Sequence, residues 1–78
     1  MKILITGGAG YLGSVITEIL LESFHEITVL DSLTHNQTSV SIFSHDKNFN
    51  FIYGDVRNRE LLEKLVLEND LIIPLAAI

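Results

Sequence analysis

The apolar run Lys2–Thr6 is cut off by glycine and followed at once by residues whose apolar members recur at helical spacing, and this junction constrains the chain more than any other feature. Lys-Ile-Leu-Ile-Thr is short and almost uniformly apolar, the pattern of a strand buried on both faces. Leu12, Val15, Ile16, Ile19 and Leu20 then mark one side of a helix, with Ser14, Thr17, Glu18 and Glu22 expected on the other. A strand that leads directly into a helix points to a parallel sheet, whose neighbouring strands must be joined by crossovers.

The remaining residues repeat the alternation. Glu26–Leu30 reads as a second strand ending at Asp31, and Ser32–Asn48 as a polar loop with room for a short helix around Val40–Ser44. Asn50–Tyr53 is a third strand, closed by Gly54-Asp55. A second helix is expected from Asn58 as its N-cap, burying Leu61, Leu62, Leu65 and Val66 and carrying Glu60 and Lys64 as an i, i+4 pair on its wet side. Asp70–Leu75 is a fourth, almost wholly apolar strand. Right-handed crossovers with the first strand central predict an α/β fold of spatial order 3-2-1-4, half of a doubly wound parallel sheet plus one neighbouring strand. An apolar fourth strand left at an edge invites aggregation. The expectation is therefore that these residues are part of a longer protein, and that a chain existing alone dimerises or swaps elements.

Composition removes several function classes. A 78-residue chain holds one domain at most, and such a domain buries only about 60% of its unfolded surface. With no cysteine there is no disulfide, zinc cluster or thiol chemistry, which fits a cytoplasmic protein. The net charge of −5, carried by scattered acids, argues against nucleic-acid binding. No apolar run approaches the roughly 20 residues of a membrane helix, and no signal-peptide pattern is present. His25, His35 and His45 share no ligand spacing and read as solvated loop residues, so no metal site is expected. Phe43, Phe49 and Phe51 read as packing residues, and Arg57 and Arg59 as surface residues near a helix start.

Gly7, Gly10 and Gly13 form a G-x-x-G-x-x-G pattern at the strand–helix junction. Gly7 permits the tight turn, Gly10 lets backbone approach a pyrophosphate, and Gly13 lets the helix pack closely on the sheet. The helix N-terminus adds unpaired N–H groups and its dipole for an anion. A P-loop is excluded, because Ser14-Val15 stands where Lys-Ser/Thr is required. Asp31, at the end of the second strand, is placed to accept hydrogen bonds from the adenosine ribose hydroxyls; it repels a 2′-phosphate, and Ser32-Leu33-Thr34 brings no Arg to attract one. NAD is favoured over NADP. An ordinary loop cap is the alternative reading of Asp31.

Four segments in this order and spacing, TGGAGYLGS at Thr6–Ser14, LDSL at Leu30–Leu33, GDVRN at Gly54–Asn58 and PLAA at Pro74–Ala77, resemble the extended short-chain dehydrogenase/reductases, the NAD-dependent nucleotide-sugar epimerases and dehydratases. The resemblance implies that residues 1–78 are part of an NAD-binding Rossmann domain, with a nucleotide-sugar substrate and a homo-oligomeric assembly in the full-length protein. It implies that Gly7, Gly10 and Gly13 line the pyrophosphate, with the Tyr11 and Leu12 backbone donating to it. Asp31 is then the ribose ligand, and Asp55 and Val56 contact the adenine. Leu75, Ala76 and Ala77 pass along the nicotinamide-side ribose; for Arg57, read as a surface residue, a place close to the adenine end is the alternative. Two positions depart from the pattern. Pro74 replaces the usual His, so either it stands at the strand's C-terminal end or the local pairing there is altered, and Asn58 replaces the commoner Asp. The family's catalytic Tyr-x-x-x-Lys pair is missing, since Tyr11 is followed four residues on by Val15 and Tyr53 by Arg57, so no catalytic residue is assigned. Two further functions stay open: a non-catalytic nucleotide-sensing module, and a Rossmann domain for another ligand such as FAD or S-adenosylmethionine.

Overall fold

Parallel pairing along both edges of the first strand organises the molecule. The computed structural model describes residues 1–7, 10–32 and 43–75. In chain order the elements are β1 (Lys2–Thr6), α1 (Tyr11–Glu22), β2 (Glu26–Asp31), β3 (Phe49–Tyr53), α2 (Arg59–Glu68) and β4 (Leu71–Pro74). The strands form one sheet of order β3-β2-β1-β4. Every neighbouring pair is parallel, with Ile5 opposite Val29 on one side and Ile73 on the other. The expected order 3-2-1-4 and the α/β architecture are present. Strand limits differ slightly, β3 starting at Phe49 and β4 running only from Leu71 to Pro74. The expected short helix around Val40–Ser44 lies largely outside the described residues.

Side chains alternate across β1 and β2, so each face of the sheet receives its own core. Ile3, Ile5, Ile27 and Val29 are buried on one face with Phe43 and Phe49, whose rings lie 5.6 Å apart, and α1 packs there through Ile16, Leu20 and Leu21. Leu4 and Leu30 point to the opposite face, where Leu65 of α2 is buried with them and Leu61, Leu62, Val56, Ile52 and Ile72 complete the cluster. Full burial of one such aliphatic side chain stabilises by roughly 1.5–3 kcal/mol.

The buried face of α1 is rotated from the expected one. Leu12 is 60% exposed and Ile19 56%, whereas Gly13 and Thr17 are buried. Gly13, Ile16, Thr17, Leu20 and Leu21 form the i, i+3, i+4, i+7, i+8 stripe that meets the sheet. Gly13, buried in the first turn, has no side chain to hold the helix off the sheet. On α2 the expected Leu61, Leu62 and Leu65 face inward, but Val66 is 42% exposed. Asn58 caps this helix as predicted, its Oδ1 accepting from the Leu61 N–H at 3.2 Å. The i, i+4 ion pair on α2 joins Arg59 to Glu63 at 2.8 Å, in place of the expected Glu60–Lys64 pair. Pro74 takes the last position of β4, and the following Leu75 N–H donates to the Thr6 carbonyl at 2.8 Å, so the ladder resumes past the residue that has no donor.

α1 ends in a left-handed turn built without glycine. The Phe24 N–H donates to the Leu21 carbonyl at 3.0 Å and the His25 N–H to the Leu20 carbonyl at 3.2 Å. Phe24 adopts φ 65° and is 87% exposed as a residue. A bulky residue in this region is strained, by about 1–2 kcal/mol, and an exposed ring gains little packing in return. Phe24→Gly removes the strain but adds freedom to the unfolded chain. A net stabilisation of about 0.5–1 kcal/mol is expected in urea unfolding; a less stable variant shows that the ring contributes more packing than its exposure indicates.

Candidate functional site

All strands being parallel, their carboxyl ends share one edge, and the segments singled out in the sequence leave the sheet there. Three backbone bonds hold them side by side. The Gly7 N–H donates to the Leu30 carbonyl at 2.8 Å, tying the turn after β1 to the end of β2. The Gly54 N–H donates to the Asp31 carbonyl at 3.1 Å, tying the end of β3 to β2, and the Leu75 bond to Thr6 ties the end of β4 to β1. Such an edge is where open α/β sheets take ligands.

The glycines there answer to different constraints. Gly7 has φ 76°, a conformation that favours glycine as the chain turns out of β1. A Cβ on Gly54 would lie 2.7 Å from Leu61 Cδ2 and 3.2 Å from Leu30 Cδ1, so its bare backbone lets α2 close on the sheet. Gly10 differs from both. It is the N-cap of α1 with φ −80° and ψ −176°, extended backbone open to any residue, and a Cβ there would meet nothing within 4 Å. Neither strain nor packing within the described residues requires glycine at this position.

Among the described residues, no side chain caps the same helix end. Gly10 supplies no cap, the first turn carries no acid, and the Ser14 hydroxyl donates back to the Tyr11 carbonyl at 2.8 Å. The N–H groups of the first turn therefore keep their positive character toward the open side. Tyr11 and Leu12 are exposed beside it. Gly8 and Ala9 lie outside the described residues, as do Ala76 and Ala77. Asp31 is half-buried at the end of β2, opposite Tyr53 in register. Leu75 packs against the α1-side core, and Val56 against the α2-side core.

Asp55 is exposed just past β3, and Arg57 closes on it. Oδ1 accepts from the Arg57 backbone N–H at 2.8 Å, Nη2 donates to Oδ2 at 2.9 Å, and Nε reaches both oxygens at 3.2 Å. The sequence placed both residues at this end but did not pair them; the visible signal was the Asp-x-Arg spacing after Gly54. These hydrogen bonds hold the Asp55 carboxyl below the ordinary aspartate value of 3.8 and raise the guanidinium in return. His25 also differs from its expected solvated state: it is half-buried and its Nδ1 is enclosed without a hydrogen-bond partner. Among the described residues no group of three or more His, Asp or Glu could hold a metal, and no helix is long and apolar enough to cross a membrane.

Two outcomes follow. Gly54→Ala should cost about 1–2 kcal/mol in urea unfolding, because Leu61 must shift against a fully buried Leu30; an unchanged midpoint shows that Leu61 relocates freely. A carboxyl depressed in the folded state adds stability above its unfolded value, and that addition disappears as pH falls through the folded value. An NMR titration of Asp55 should give a midpoint below 3.8 that rises in Arg57→Ala; a wild-type midpoint at or above 3.8 contradicts a persistent pair.

Comparison with known proteins covers this whole arrangement. The NAD dependent epimerase/dehydratase family matches residues 3–78. The chain is 38% identical over 73 residues to the UDP-glucose 4-epimerase of Neisseria meningitidis serogroup B, covering 87% of this chain and 21% of that protein. The dTDP-glucose 4,6-dehydratase of Bacillus anthracis, solved in complex with NAD, has a TM-score of 0.87 at 36% identity over 100% of this chain and 27% of its own. WbmG of Bordetella bronchiseptica, also in complex with NAD, has a TM-score of 0.86 at 34% identity over 100% of this chain and 25% of its own. The chain thus spans about a quarter of the length of the relatives it matches. With the strand order, the glycine turn and the family match all running along the same residues, the chain belongs to the NAD dependent epimerase/dehydratase family.

Proposed function

We propose that residues 1–78 form the NAD-holding segment of an enzyme that acts on a nucleotide-sugar. The carrying observation is Gly10, a glycine that neither its backbone angles nor its neighbours require. What its missing side chain leaves free is space in front of an uncapped helix end, where a pyrophosphate fits. In this reading Gly7, Gly10 and Gly13 form the cradle, and the Tyr11 and Leu12 backbone N–H groups donate to the phosphate oxygens. Asp31 accepts from the adenosine ribose hydroxyls and disfavours the additional phosphate of NADP. Asp55 and Val56 take the adenine, and Leu75 with Ala76 and Ala77 borders the nicotinamide-side ribose.

Bound NAD supplies a hydride acceptor, while this chain's part is to hold and orient it. The nucleotide-sugar substrate is inferred from relatives named as UDP-glucose and dTDP-glucose enzymes and from WbmG, which has also been solved with NAD and UDP. The FAD and S-adenosylmethionine readings are less favoured, as the matched relatives solved with a dinucleotide carry NAD.

Gly10→Ala separates the fold from the site. Its thermal unfolding should stay within about 1 kcal/mol of the wild type, because the new methyl meets nothing. NAD affinity measured by calorimetry should fall at least about tenfold, as that methyl enters the space of the pyrophosphate. Wild-type affinity in Gly10→Ala overturns the placement of the cofactor.

A further inference from the structure

We propose that β3 is the docking edge for a second copy of this chain, laid antiparallel about Phe51 so that the two sheets become continuous. β3 is the outer strand beside β2. The Asn48 carbonyl accepts from the Ile27 N–H at 2.8 Å, and the Gly54 N–H donates to the Asp31 carbonyl at 3.1 Å, so both residues are turned toward β2. The backbone groups of a strand alternate in direction from residue to residue. Asn50 and Ile52 therefore turn inward as well, and Phe49, Phe51 and Tyr53 turn outward. The Phe49 N–H is taken by the Asp46 carbonyl at 3.1 Å. The Phe49 carbonyl and both backbone groups of Phe51 and Tyr53 have no partner among the described residues.

That set is its own complement. A two-fold axis beside Phe51 lets its N–H and carbonyl exchange bonds with Phe51 of the second copy, and brings each Tyr53 N–H to the other chain's Phe49 carbonyl. Only the Tyr53 carbonyl, opposite the engaged Phe49 N–H, is left to water. The side chains agree with this register. Phe49, Phe51 and Tyr53 share the α1 side of the strand, so each Tyr53, 73% exposed in the single chain, lies across from a Phe49. Beyond the strand, Lys47 and Asp55 are equally far from Phe51 and both exposed, so each lysine is set toward the other copy's carboxylate. Outer strands are ordinarily guarded by a charge or a proline, and Phe-Asn-Phe-Ile-Tyr has neither. The opposite outer strand, β4, ends in Pro74, starts after the acidic Asp70 and has no cation following it. The inference does not rest on the placement of NAD.

The chain has no cysteine, so engineered thiols report the register directly. In the proposed pairing Asn50 of one copy stands opposite Ile52 of the other, in a non-hydrogen-bonded pair about 4.5 Å apart between Cα atoms, within disulfide reach. Asn50 faces the second Asn50 only diagonally, at about 7–8 Å, as Ile52 does the second Ile52. Under mild oxidation a mixture of Asn50→Cys and Ile52→Cys chains should therefore form the mixed disulfide at least about tenfold faster than either variant forms its own dimer. Equal rates in the mixture and the single variants overturn the register. Sedimentation of the wild type between about 1 µM and 1 mM, the range suited to a small interface, should show a rise from the mass of one chain to that of two. A wild type that stays single throughout overturns the inference. Tyr53→Pro removes an outward donor and leaves the bonds to β2 in place, so it should stay single while keeping the wild-type circular dichroism spectrum. Undiminished association of that folded variant puts the contact elsewhere, for which the edge of β4 is the alternative, and overturns the inference too. The cysteine mixture decides the matter even where the proline variant does not fold.

Discussion

The position of β1 between two parallel neighbours is the constraint on which the other features depend. Its residues from Ile3 to Thr6 are buried, and its pairing with β2 and β4 fixes where both neighbours end. Because the strands run the same way, the turns that follow them emerge together, and the backbone bonds from Gly7, Gly54 and Leu75 hold those turns in register. An antiparallel neighbour would send one of the turns to the opposite end of the sheet. The site is a consequence of strand direction before any polar side chain contributes to it.

On that edge, resemblance among the glycines conceals a division of roles. The conformation of Gly7 and the close contacts at Gly54 belong to the fold, since each is explained by atoms of the chain itself. Gly13 belongs to the packing of α1. Among the described residues Gly10 alone of these lacks an internal reason, and the proposed cofactor placement rests on that. A motif counted from the sequence treats its glycines as equivalent; the surroundings of each one do not.

Much of this was legible because it is local. Short apolar runs bounded by Gly, Asp or Asn gave the strands, and their alternation with helical spacing gave the order of the sheet. Asn58 announced its helix because a cap bonds only a few residues ahead. The facing of α1 was less legible, since Leu12 and Ile19 carry the stronger hydrophobic signal while the buried residues are Gly13 and Thr17. Apolar periodicity weighs transfer energy and does not register that a missing side chain decides how closely a helix can approach. Phe24 was opaque for a related reason: a left-handed turn is read from glycine, and here the carbonyls of Leu20 and Leu21 impose it on an aromatic residue. The Asp55–Arg57 fork was latent in a two-residue spacing that only the turn after β3 brings into contact.

The central place of β1 also sets a timetable. Ile3 pairs with Ile27 and with Leu71, and the Lys2 N–H bonds to the carboxylate of Asp70, 68 residues along the chain. A ribosome adding roughly 5–20 residues per second delivers the first partner within seconds and the second several seconds later. Through that interval the most deeply buried strand among those described has one edge unmatched and the α2-side face uncovered. The emerging chain is therefore most vulnerable to wrong pairing after β2 has docked and before β4 arrives, and it is during this wait that a chaperone would have the most to protect.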